Sequence, residues 1–371
     1  MASALVVFAG GGTGGHLFPA IAIADEVKKL EPNARILFVG TKDKIEARVV
    51  PLHGYEFKTI WISGFHRGLR VSNLLFPLKV IVSMMQALSI IRNVDPNVVV
   101  GTGGFVSGPM LRAAAMLRVP TLIHEQNSYP GFTTRMLAPR TNEVHLTFES
   151  SKKYLRRTNN IYVSGNPTRN DLELVSKNDA CNYFGFDPHD KKAAILMFGG
   201  SLGAHSINEA VRKNLDHLMN KGIRLIWQTG KDDLSEAQRF IAKYSGEHVW
   251  VNAFIERMDY AYAVSDLVVC RAGATTIAEL TRLGKPSILV PYPHAAADHQ
   301  TENARSMANA GAAEIVSDGE IAERLSSVIE SLLQGDRLRR MGENAKHLGK
   351  PDAAHVIAVR VLNLARASKQ E

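Results

Sequence analysis

The sequence has few cysteines, and no carboxylate pair stands beside its glycine-rich loops. Cys181 and Cys270 are the two cysteines of the 371 residues, and they are far apart, without metal-ligand spacing. This usage suits a reducing compartment. The missing carboxylate pair leads us to predict neither a metal ion nor another cofactor. The start, MASALVVFAGGG, has no basic leader and no cleavage-site pattern. We therefore expect no signal peptide.

The net charge of +8 suggests an anionic partner. Basic residues are not interleaved with aromatic ones and no nucleic-acid-binding motif occurs, so we predict no nucleic-acid partner. An anionic membrane surface is the other explanation.

Uninterrupted apolar runs are also lacking. The most apolar segment, residues 65–91, has a tail from Leu74 to Ile91 that is almost long enough to span a bilayer, which takes about 17–25 residues. Polar residues and a proline interrupt it, so we reject a spanning helix. Two interpretations stay open. The segment is a domain helix with one buried face, or part of its apolar face rests on lipid beside basic residues: His66, Arg67, Arg70 and Lys79.

The stretch AGGGTGGHLFPA (9–20) joins two predicted elements. LVVF (5–8) precedes it and is typical of a buried strand, while residues 17–30 have apolar positions at helical spacing. A glycine-rich turn into a helix N-terminus offers unpaired N–H groups to a phosphate. The next strand ends in Gly40 and Thr41 without an acid for a ribose, which argues against a dinucleotide site.

The same strand, loop and helix pattern recurs at residues 96–127, 193–211 and 266–293. Alternating strands and helices predict parallel sheets covered on both faces. We therefore predict an α/β fold of two doubly wound Rossmann-like domains facing across a cleft. The predicted boundaries are 1–164, 165–350 and a C-terminal helix over 351–371. Ligands of such sheets bind beyond the carboxyl ends of the strands, where all these loops lie.

Several polar residues near these strand ends suit a nucleotide diphosphate and a sugar. The carboxylate of Glu279 matches a ribose diol because it accepts two O–H donors. Amide side chains at Asn127 and Gln300 suit sugar hydroxyls, and Arg169 suits a diphosphate. Helix N-termini would stabilise a departing diphosphate in place of a metal ion.

His16 is the candidate general base. It stands at the first helix N-terminus, and a neutral imidazole facing a cleft can take a proton from a hydroxyl nucleophile. His124 and Glu125 are competing bases on the same rim. An imidazole that only packs or caps is the alternative for His16.

Seven motifs in order closely resemble the MurG family, bacterial transferases that make the peptidoglycan precursor lipid II: GGGTGGHLFPA, VVVGTGGFVSGP, HEQN, GNPTR, FGGSLGA, RAGATTIAEL and DHQTENA. The resemblance runs from about residue 5 to about residue 310. It implies the glycosyltransferase B fold, with the last helix packing back on the first domain. It also implies an inverting hexosyltransferase that moves N-acetylglucosamine from UDP-N-acetylglucosamine to the C4 hydroxyl of the undecaprenyl-diphosphate-linked muramyl-pentapeptide. The location implied is the cytoplasmic face of the bacterial plasma membrane, as a peripheral protein.

The resemblance also implies roles for individual residues. Gly103 and Gly104 would face the acceptor diphosphate, and the stretch around 65–82 would contact the membrane. His16 would be the base. The remaining implied substrate-binding residues are Thr13, Gly14, Gly15, Asn127, Arg169, Ser201, Ile255, Ala274, Thr275, Thr276, Ile277, Ala278, Glu279 and Gln300.

Three other functions stay open at this point. A related transferase that glycosylates diacylglycerol would share the donor half and differ in the first domain. A non-catalytic UDP-sugar sensor would bind in the cleft without a partner for His16. A dehydrogenase is disfavoured because the first domain lacks the ribose acid.

Overall fold

The computed structural model describes residues 3–64, 75–156, 159–168, 172–173, 175–244, 248–295 and 298–367. The chain divides into two compact units: residues 1–168 with 350–371, and residues 169–349. Each unit is built around one parallel β-sheet. The predicted α/β class with two Rossmann-like domains is confirmed.

The first unit alternates strands and helices along most of its length. Its seven strands in the described residues are β1 (Leu5–Gly10), β2 (Arg35–Gly40), β3 (Glu56–Thr59), β4 (Val98–Gly103), β5 (Thr121–Glu125), β6 (Glu143–Leu146) and β7 (Ile161–Val163). The helices are α1 (Gly14–Leu30), α2 (Ile45–Leu52), α3 (Phe76–Val94), α4 (Gly104–Met116) and α5 (Phe132–Leu137), with α14 (Ala353–Ala367) from the end of the chain.

The strand order in this sheet is β3-β2-β1-β4-β5-β6-β7, and all neighbours are parallel. The order reverses between β1 and β4, where the first two glycine loops leave the sheet. Such a switch point leaves a crevice at the carboxyl ends of the two strands. The sheet thereby places both loops at one edge, side by side.

Both faces of the first sheet are covered by apolar helices. On one face α1 and α14 pack on residues such as Val6 and Phe8, and on the other α3 and α4 pack on residues such as Val7 and Val99. Alternate residues of β1 therefore belong to different cores, as the two-residue repeat of a strand requires. The last helix packs on the first unit, as predicted.

The second unit follows the same plan. Its six strands in the described residues are β8 (Ala194–Phe198), β9 (Arg224–Gln228), β10 (Val249–Asn252), β11 (Leu267–Cys270), β12 (Ser287–Leu289) and β13 (Ala313–Ile315). They are parallel, in the order β10-β9-β8-β11-β12-β13. The helices are α6 (Lys177–Phe184), α7 (His205–Asn220), α8 (Leu234–Ile241), α9 (Met258–Val264), α10 (Ala274–Leu283), α11 (His299–Asn309), α12 (Ile321–Leu333) and α13 (Arg337–Leu348).

A polar clamp fastens α14 to the edge of the first sheet. The Arg360 guanidinium forms an ion pair with the buried carboxylate of Glu143, with Nε 2.9 Å from Oε2. His145 donates its Nε2–H to the same carboxylate at 3.1 Å, and Ser164 donates its hydroxyl to His145 Nδ1 at 2.7 Å. Burial raises the pKa of Glu143, but hydrogen bonds from His145 and Arg360 outweigh burial and hold it below its usual value of 4.5.

We expect Arg360→Met to lower the free energy of unfolding by about 1–2 kcal/mol at pH 7, because it leaves a buried carboxylate short of a donor. A carboxyl group with a depressed pKa stabilises the fold above its usual pKa and loses this contribution as the pH falls through the lowered value. The deficit of the variant should therefore be full above about pH 4.5 and shrink below it. Thermal unfolding from pH 3 to 7 measures this, with Arg366→Met, exposed on the same helix, as the control. A deficit independent of pH would contradict the role assigned to Glu143.

Candidate functional site

The first glycine loop leads directly into α1. The helix begins at Gly14, so Gly14, Gly15 and His16 form its first turn and Thr13 is the N-cap residue. Thr13 is extended, at φ −144°, and its side chain makes no capping hydrogen bond. The His16 N–H donates to the Thr13 carbonyl oxygen at 3.3 Å, so the first turn offers the N–H groups of Gly14 and Gly15 to an anion.

The second glycine loop packs tightly against the first. A Cβ atom at Gly104 would lie 2.4 Å from the Gly11 carbonyl oxygen, and one at Gly103 would lie 2.6 Å from Nδ1 of His16. Gly103 and Gly104 also have φ values of +104° and +75°, which disfavour other residues. The two loops that sequence analysis selected are therefore in contact, with His16 between them.

The His16 ring is held at one nitrogen. Its Nδ1 lies 3.1 Å from the carbonyl oxygen of Thr102, the residue before the second loop, and 3.0 Å from Oε1 of Gln126. The Thr102 hydroxyl donates to the His16 carbonyl oxygen at 2.8 Å. Asn127, a predicted sugar-binding residue, directly follows Gln126 and is half-buried.

The prediction that His124 and Glu125 compete as bases on this rim is wrong, because both side chains are buried in β5. Burial lowers the pKa of His124 to about 3, and its Nε2 lies 3.0 Å from the Gly165 carbonyl oxygen. The Glu125 carboxylate accepts hydrogen bonds from the Gly131 N–H at 2.9 Å and the Thr134 hydroxyl at 2.6 Å. Neither group is placed to take a proton from a ligand.

Glu46, which sequence analysis missed, holds the first loop in place. Its fully buried carboxylate accepts hydrogen bonds from the Gly12 N–H at 2.9 Å and from the Thr41 N–H at 3.0 Å and hydroxyl at 2.8 Å. A ribose-binding acid is expected at the end of β2, whereas Glu46 stands six residues after that end, in the first turn of α2. Its partners are protein groups, so it supports the loop and is not placed to bind a ribose.

A pocket of about 760 Å³ lies in the second unit. The third glycine loop, Gly199–Gly203, forms one wall and includes the predicted residue Ser201. Gly203 is confined to glycine, since a Cβ atom there would lie 2.1 Å from the Thr229 carbonyl oxygen. Beyond this loop, the lining side chains include His205, Ser206, Glu209, Arg271, Thr276, Tyr292, His294, Gln300 and Asp318.

Helix α10 begins at this pocket, at Ala274. Ala274, Ile277 and Ala278 are buried and anchor the helix in the core. Thr276 lines the pocket, and the buried hydroxyl of Thr275 has no hydrogen-bond partner among the described residues. The helix therefore brings its first-turn N–H groups and a threonine hydroxyl to the same wall.

The other predicted residues of the second unit have defined partners. The Glu279 carboxylate accepts a hydrogen bond from the Tyr262 hydroxyl at 2.9 Å, and Oε1 of Gln300 accepts one from the Tyr292 N–H at 3.0 Å. Ile255 is buried, and its N–H donates to Gln228 Oε1 at 2.8 Å. Because the N–H is engaged, a nucleobase that contacts the Ile255 backbone would bind its carbonyl oxygen. Arg169 lies outside the described residues.

Arg271, the first residue of the RAGATTIAEL motif, is a cation of the pocket that sequence analysis did not select. Its guanidinium donates to the Ser206 hydroxyl at 3.0 Å and to the Val290 carbonyl oxygen at 3.2 Å, and it forms an ion pair with Asp318. The available signal was its position directly after a buried strand, where ligands of parallel sheets bind.

Two family models match the chain. The glycosyltransferase family 28 N-terminal domain matches residues 6–146, and the glycosyltransferase family 28 C-terminal domain matches residues 194–357. Together they span the two sheets apart from β7 and include the three glycine loops.

Named relatives extend over almost the whole chain. A UDP-N-acetylglucosamine–N-acetylmuramyl-(pentapeptide) pyrophosphoryl-undecaprenol N-acetylglucosamine transferase of Chlorobaculum parvum is 45% identical, over 98% of this chain and 100% of its own. One of Flavobacterium psychrophilum is 40% identical, over 98% of both chains. The crystal structure of Acinetobacter baumannii MurG matches with a TM-score of 0.79 at 28% identity, over 97% of this chain and 99% of its own.

We expect Glu46→Ala to lower the free energy of unfolding by about 2–4 kcal/mol, because it leaves the backbone N–H groups of Gly12 and Thr41 without an acceptor. Glu46→Gln should cost nearly as much, since its NH₂ group would face donors that need an oxygen. Thermal or urea unfolding measures both variants, and Glu56→Gln on the exposed strand β3 is the matched control. Wild-type stability of Glu46→Gln would show that the loop does not depend on this carboxylate.

Proposed function

The chain belongs to glycosyltransferase family 28 and, within it, to the MurG family, and from this premise we propose how its residues carry out the transfer. The enzyme is a UDP-N-acetylglucosamine-dependent glycosyltransferase of lipid II synthesis. It moves N-acetylglucosamine to the C4 hydroxyl of the muramyl-pentapeptide on undecaprenyl diphosphate, with inversion at the anomeric carbon. The observation that supports our assignment of roles is the placement of His16 between the first two glycine loops.

Inversion in a single displacement requires the hydroxyl to attack from the face opposite to the departing UDP. The hydroxyl must lose its proton as the new bond forms, and a base within hydrogen-bond reach accelerates that step. We assign this role to His16. Its ring stands at the first turn of α1, beside the N–H groups of Thr13, Gly14 and Gly15. We assign the acceptor diphosphate to Gly103 and Gly104, at the start of α4.

We assign the donor to the second unit. Ser201 and the N–H groups and hydroxyls of the first turn of α10, from Ala274 to Thr276, would hold the diphosphate of UDP, while the Ile277 N–H donates to the Gly273 carbonyl oxygen. These donors point where negative charge develops as UDP leaves, so they lower the barrier without a metal ion. The Glu279 carboxylate, already fixed by Tyr262, would accept from the ribose hydroxyls. Ala278 keeps this helix turn packed in the core.

The remaining donor contacts are assigned to three side chains and one backbone group. Gln300 would bind hydroxyls of N-acetylglucosamine through its amide N–H groups, because its oxygen is engaged by the Tyr292 N–H. Asn127 would contact the same sugar and Arg169 the nucleotide. The Ile255 carbonyl oxygen would accept from uracil. In this scheme residues 1–164 bind the acceptor and residues 165–350 the donor.

We expect the wild-type protein to transfer labelled N-acetylglucosamine from its UDP form to a short-chain lipid I analogue, with chelator present. His16→Ala should keep UDP-sugar binding and lose at least ~100-fold in turnover, the usual scale for a general base. Glu279→Gln should show the opposite pattern, with donor binding weakened about 10-fold and turnover at saturation largely kept. Glu323→Gln, on the exposed face of α12, is the control. Unchanged turnover of His16→Ala would remove it from the mechanism.

The same assay separates the alternatives. Transfer to diacylglycerol in place of the lipid I analogue would identify the related lipid glycosyltransferase. Binding of UDP-N-acetylglucosamine without transfer to either acceptor would identify a sensor.

We further propose that α3 presents the membrane-binding surface. Among the described residues no helix has both the length and the hydropathy that a membrane span requires. Ser83, Ala87 and Ile91 of α3 are buried, whereas Leu78, Ile81 and Met85 on another face are 49%, 59% and 65% exposed. Nearby, the Lys79 ammonium lies 5.6 Å from the centre of the Trp61 ring.

This pattern fits a helix lying in the interfacial plane of an anionic bilayer, with apolar side chains in the acyl boundary and lysine at the headgroups. The basic stretch 65–74 that precedes it lies outside the described residues. A protein bound in this way would be peripheral, at the cytoplasmic face of the plasma membrane.

We expect the double variant Ile81→Glu, Met85→Glu to bind anionic vesicles at least about 10-fold more weakly, since each residue would otherwise bury apolar area worth about 1.5–3 kcal/mol. Turnover with a water-soluble acceptor should stay unchanged. Vesicle sedimentation measures binding. Val356→Glu is the control, because this exposed residue of α14 lies on the opposite face of the first sheet. Equal binding of the α3 variant and the control would place the membrane surface elsewhere.

A further inference from the structure

The hydrogen bonds around the Gln126 side chain determine which end of its amide is the oxygen and which is the NH₂ group. One end of the amide lies 2.8 Å from the Thr102 carbonyl oxygen, 3.2 Å from the His124 carbonyl oxygen and 2.9 Å from His124 Nδ1. Carbonyl oxygens only accept hydrogen bonds, so the end beside two of them is the NH₂ group. The opposite end, 3.0 Å from His16 Nδ1, is therefore the oxygen.

The proton on His124 follows from its other neighbour. Its Nε2 lies 3.0 Å from the Gly165 carbonyl oxygen, which again can only accept, so Nε2 carries the proton. The ring is fully buried and neutral, because its pKa is lowered to about 3. A neutral imidazole has one N–H, so His124 Nδ1 is an acceptor and matches the NH₂ group of Gln126.

The same reasoning fixes His16. Its Nδ1 faces two oxygen atoms, the Thr102 carbonyl oxygen and Gln126 Oε1, and both accept. Nδ1 must therefore carry the proton, and the lone pair of the neutral ring is on Nε2. Nε2 has no hydrogen-bond partner among the described residues, and His16 is half-buried.

We propose that Gln126 and His124 are positioning residues that hold His16 in the tautomer with its basic lone pair on Nε2, the atom that takes the proton of the acceptor hydroxyl. The Gly165 carbonyl oxygen fixes the donor–acceptor direction of this chain of hydrogen bonds, because it can only accept from His124. The Gln126 amide then donates to His124 and accepts from His16. This inference rests on the proposed function for the proton transfer, whereas the tautomer itself can be measured without it.

Turning the amide round would be costly. Rotated by 180°, Gln126 would place its oxygen against two carbonyl oxygens and its NH₂ group against His16 Nδ1. His16 would then carry its proton on Nε2 and present a donor to the acceptor hydroxyl. The sheet maintains the correct arrangement, since Thr102 is the penultimate residue of β4 and His124 lies in the neighbouring strand β5, with Gly101 paired to Ile123.

Other titratable groups lie near the hydrogen bonds that join His124, Gln126 and His16. The variants of Gln126 and His124 leave these groups unchanged. His145 lies near enough to His124 to disfavour its protonation, as does His16 itself. Glu125, the next residue of β5, directs its carboxylate to Gly131 and Thr134. Neither His145 nor Glu125 bonds to the Gln126 amide.

Nitrogen-15 NMR of histidine-labelled full-length protein tests the tautomer, with His16 assigned by the signals lost in His16→Ala. We expect a protonated Nδ1 and an unprotonated Nε2 in the wild type above the pKa of the ring. Gln126→Leu should weaken this preference, because the Thr102 carbonyl oxygen would be the one acceptor left at Nδ1 among the described residues. Its kcat should fall about 10–100-fold while the KM for UDP-N-acetylglucosamine changes less than about 3-fold. Gln238→Leu, exposed on α8, is the control for the substitution.

The second pair of variants tests His124 separately. His124→Leu removes the acceptor for the Gln126 NH₂ group and should resemble Gln126→Leu in both tautomer and kcat. His124→Asn can place an amide oxygen near the former Nδ1 position and should recover most of what His124→Leu loses. The two His124 variants also test the proposal if Gln126→Leu does not fold.

A wild-type His16 protonated on Nε2 would overturn the proposal. So would wild-type kcat and an unchanged tautomer in Gln126→Leu, or in His124→Leu where the former variant does not fold. A wild-type protein with the expected tautomer but no transfer to lipid I would instead overturn the proposed function and leave the tautomer assignment standing.

Discussion

The close approach of two glycine loops is the constraint on which the first unit depends. The Gly11 carbonyl oxygen and the His16 ring occupy the space that Cβ atoms at Gly104 and Gly103 would need. A Cβ at Gly10 would likewise lie 2.0 Å from the Thr102 hydroxyl oxygen. Because no side chain separates these backbones, His16 on one loop reaches the residues that flank the other.

The second unit uses the same device with different partners. Its third loop packs on the backbone at Thr229 and Gly230, and Gln228 ties that loop to Ile255 by donating to the Gly200 carbonyl oxygen at 2.8 Å. In both units a glutamine beyond or at the end of a strand connects two loops. An amide can do so because it donates at one end and accepts at the other.

The fold was predictable because its signals are local. Apolar strands such as 5–8, glycine turns and helices at regular spacing predict parallel sheets. The seven sequence motifs identified the family. The hydrogen-bond partners were not predictable in the same way. Gln126 stands between two residues that were selected, and nothing in HEQN indicates that its amide reaches His16, 110 positions away.

The misjudged residues show the same limit. His124 and Glu125 end a strand in which all five residues are buried, so their side chains lie inside the unit instead of on its rim. A strand end in the sequence does not tell which polar residues point inwards. Glu46 was missed for a related reason: its role comes from Gly12 and Thr41, which the fold brings to it from two other segments.

The side chain that contacts His16 Nδ1 is the neutral amide of Gln126 and not a carboxylate, and this has an electrostatic consequence. Where a carboxylate orients a catalytic histidine, it also stabilises the protonated ring and adds a negative charge. Gln126 contacts the ring without that charge. A pyrophosphate group bound at the first two loops, as we propose, would therefore meet no repulsion from the residue that orients His16. In the proposed mechanism, the imidazolium formed during transfer is then left to be balanced by the substrate's own anionic oxygens.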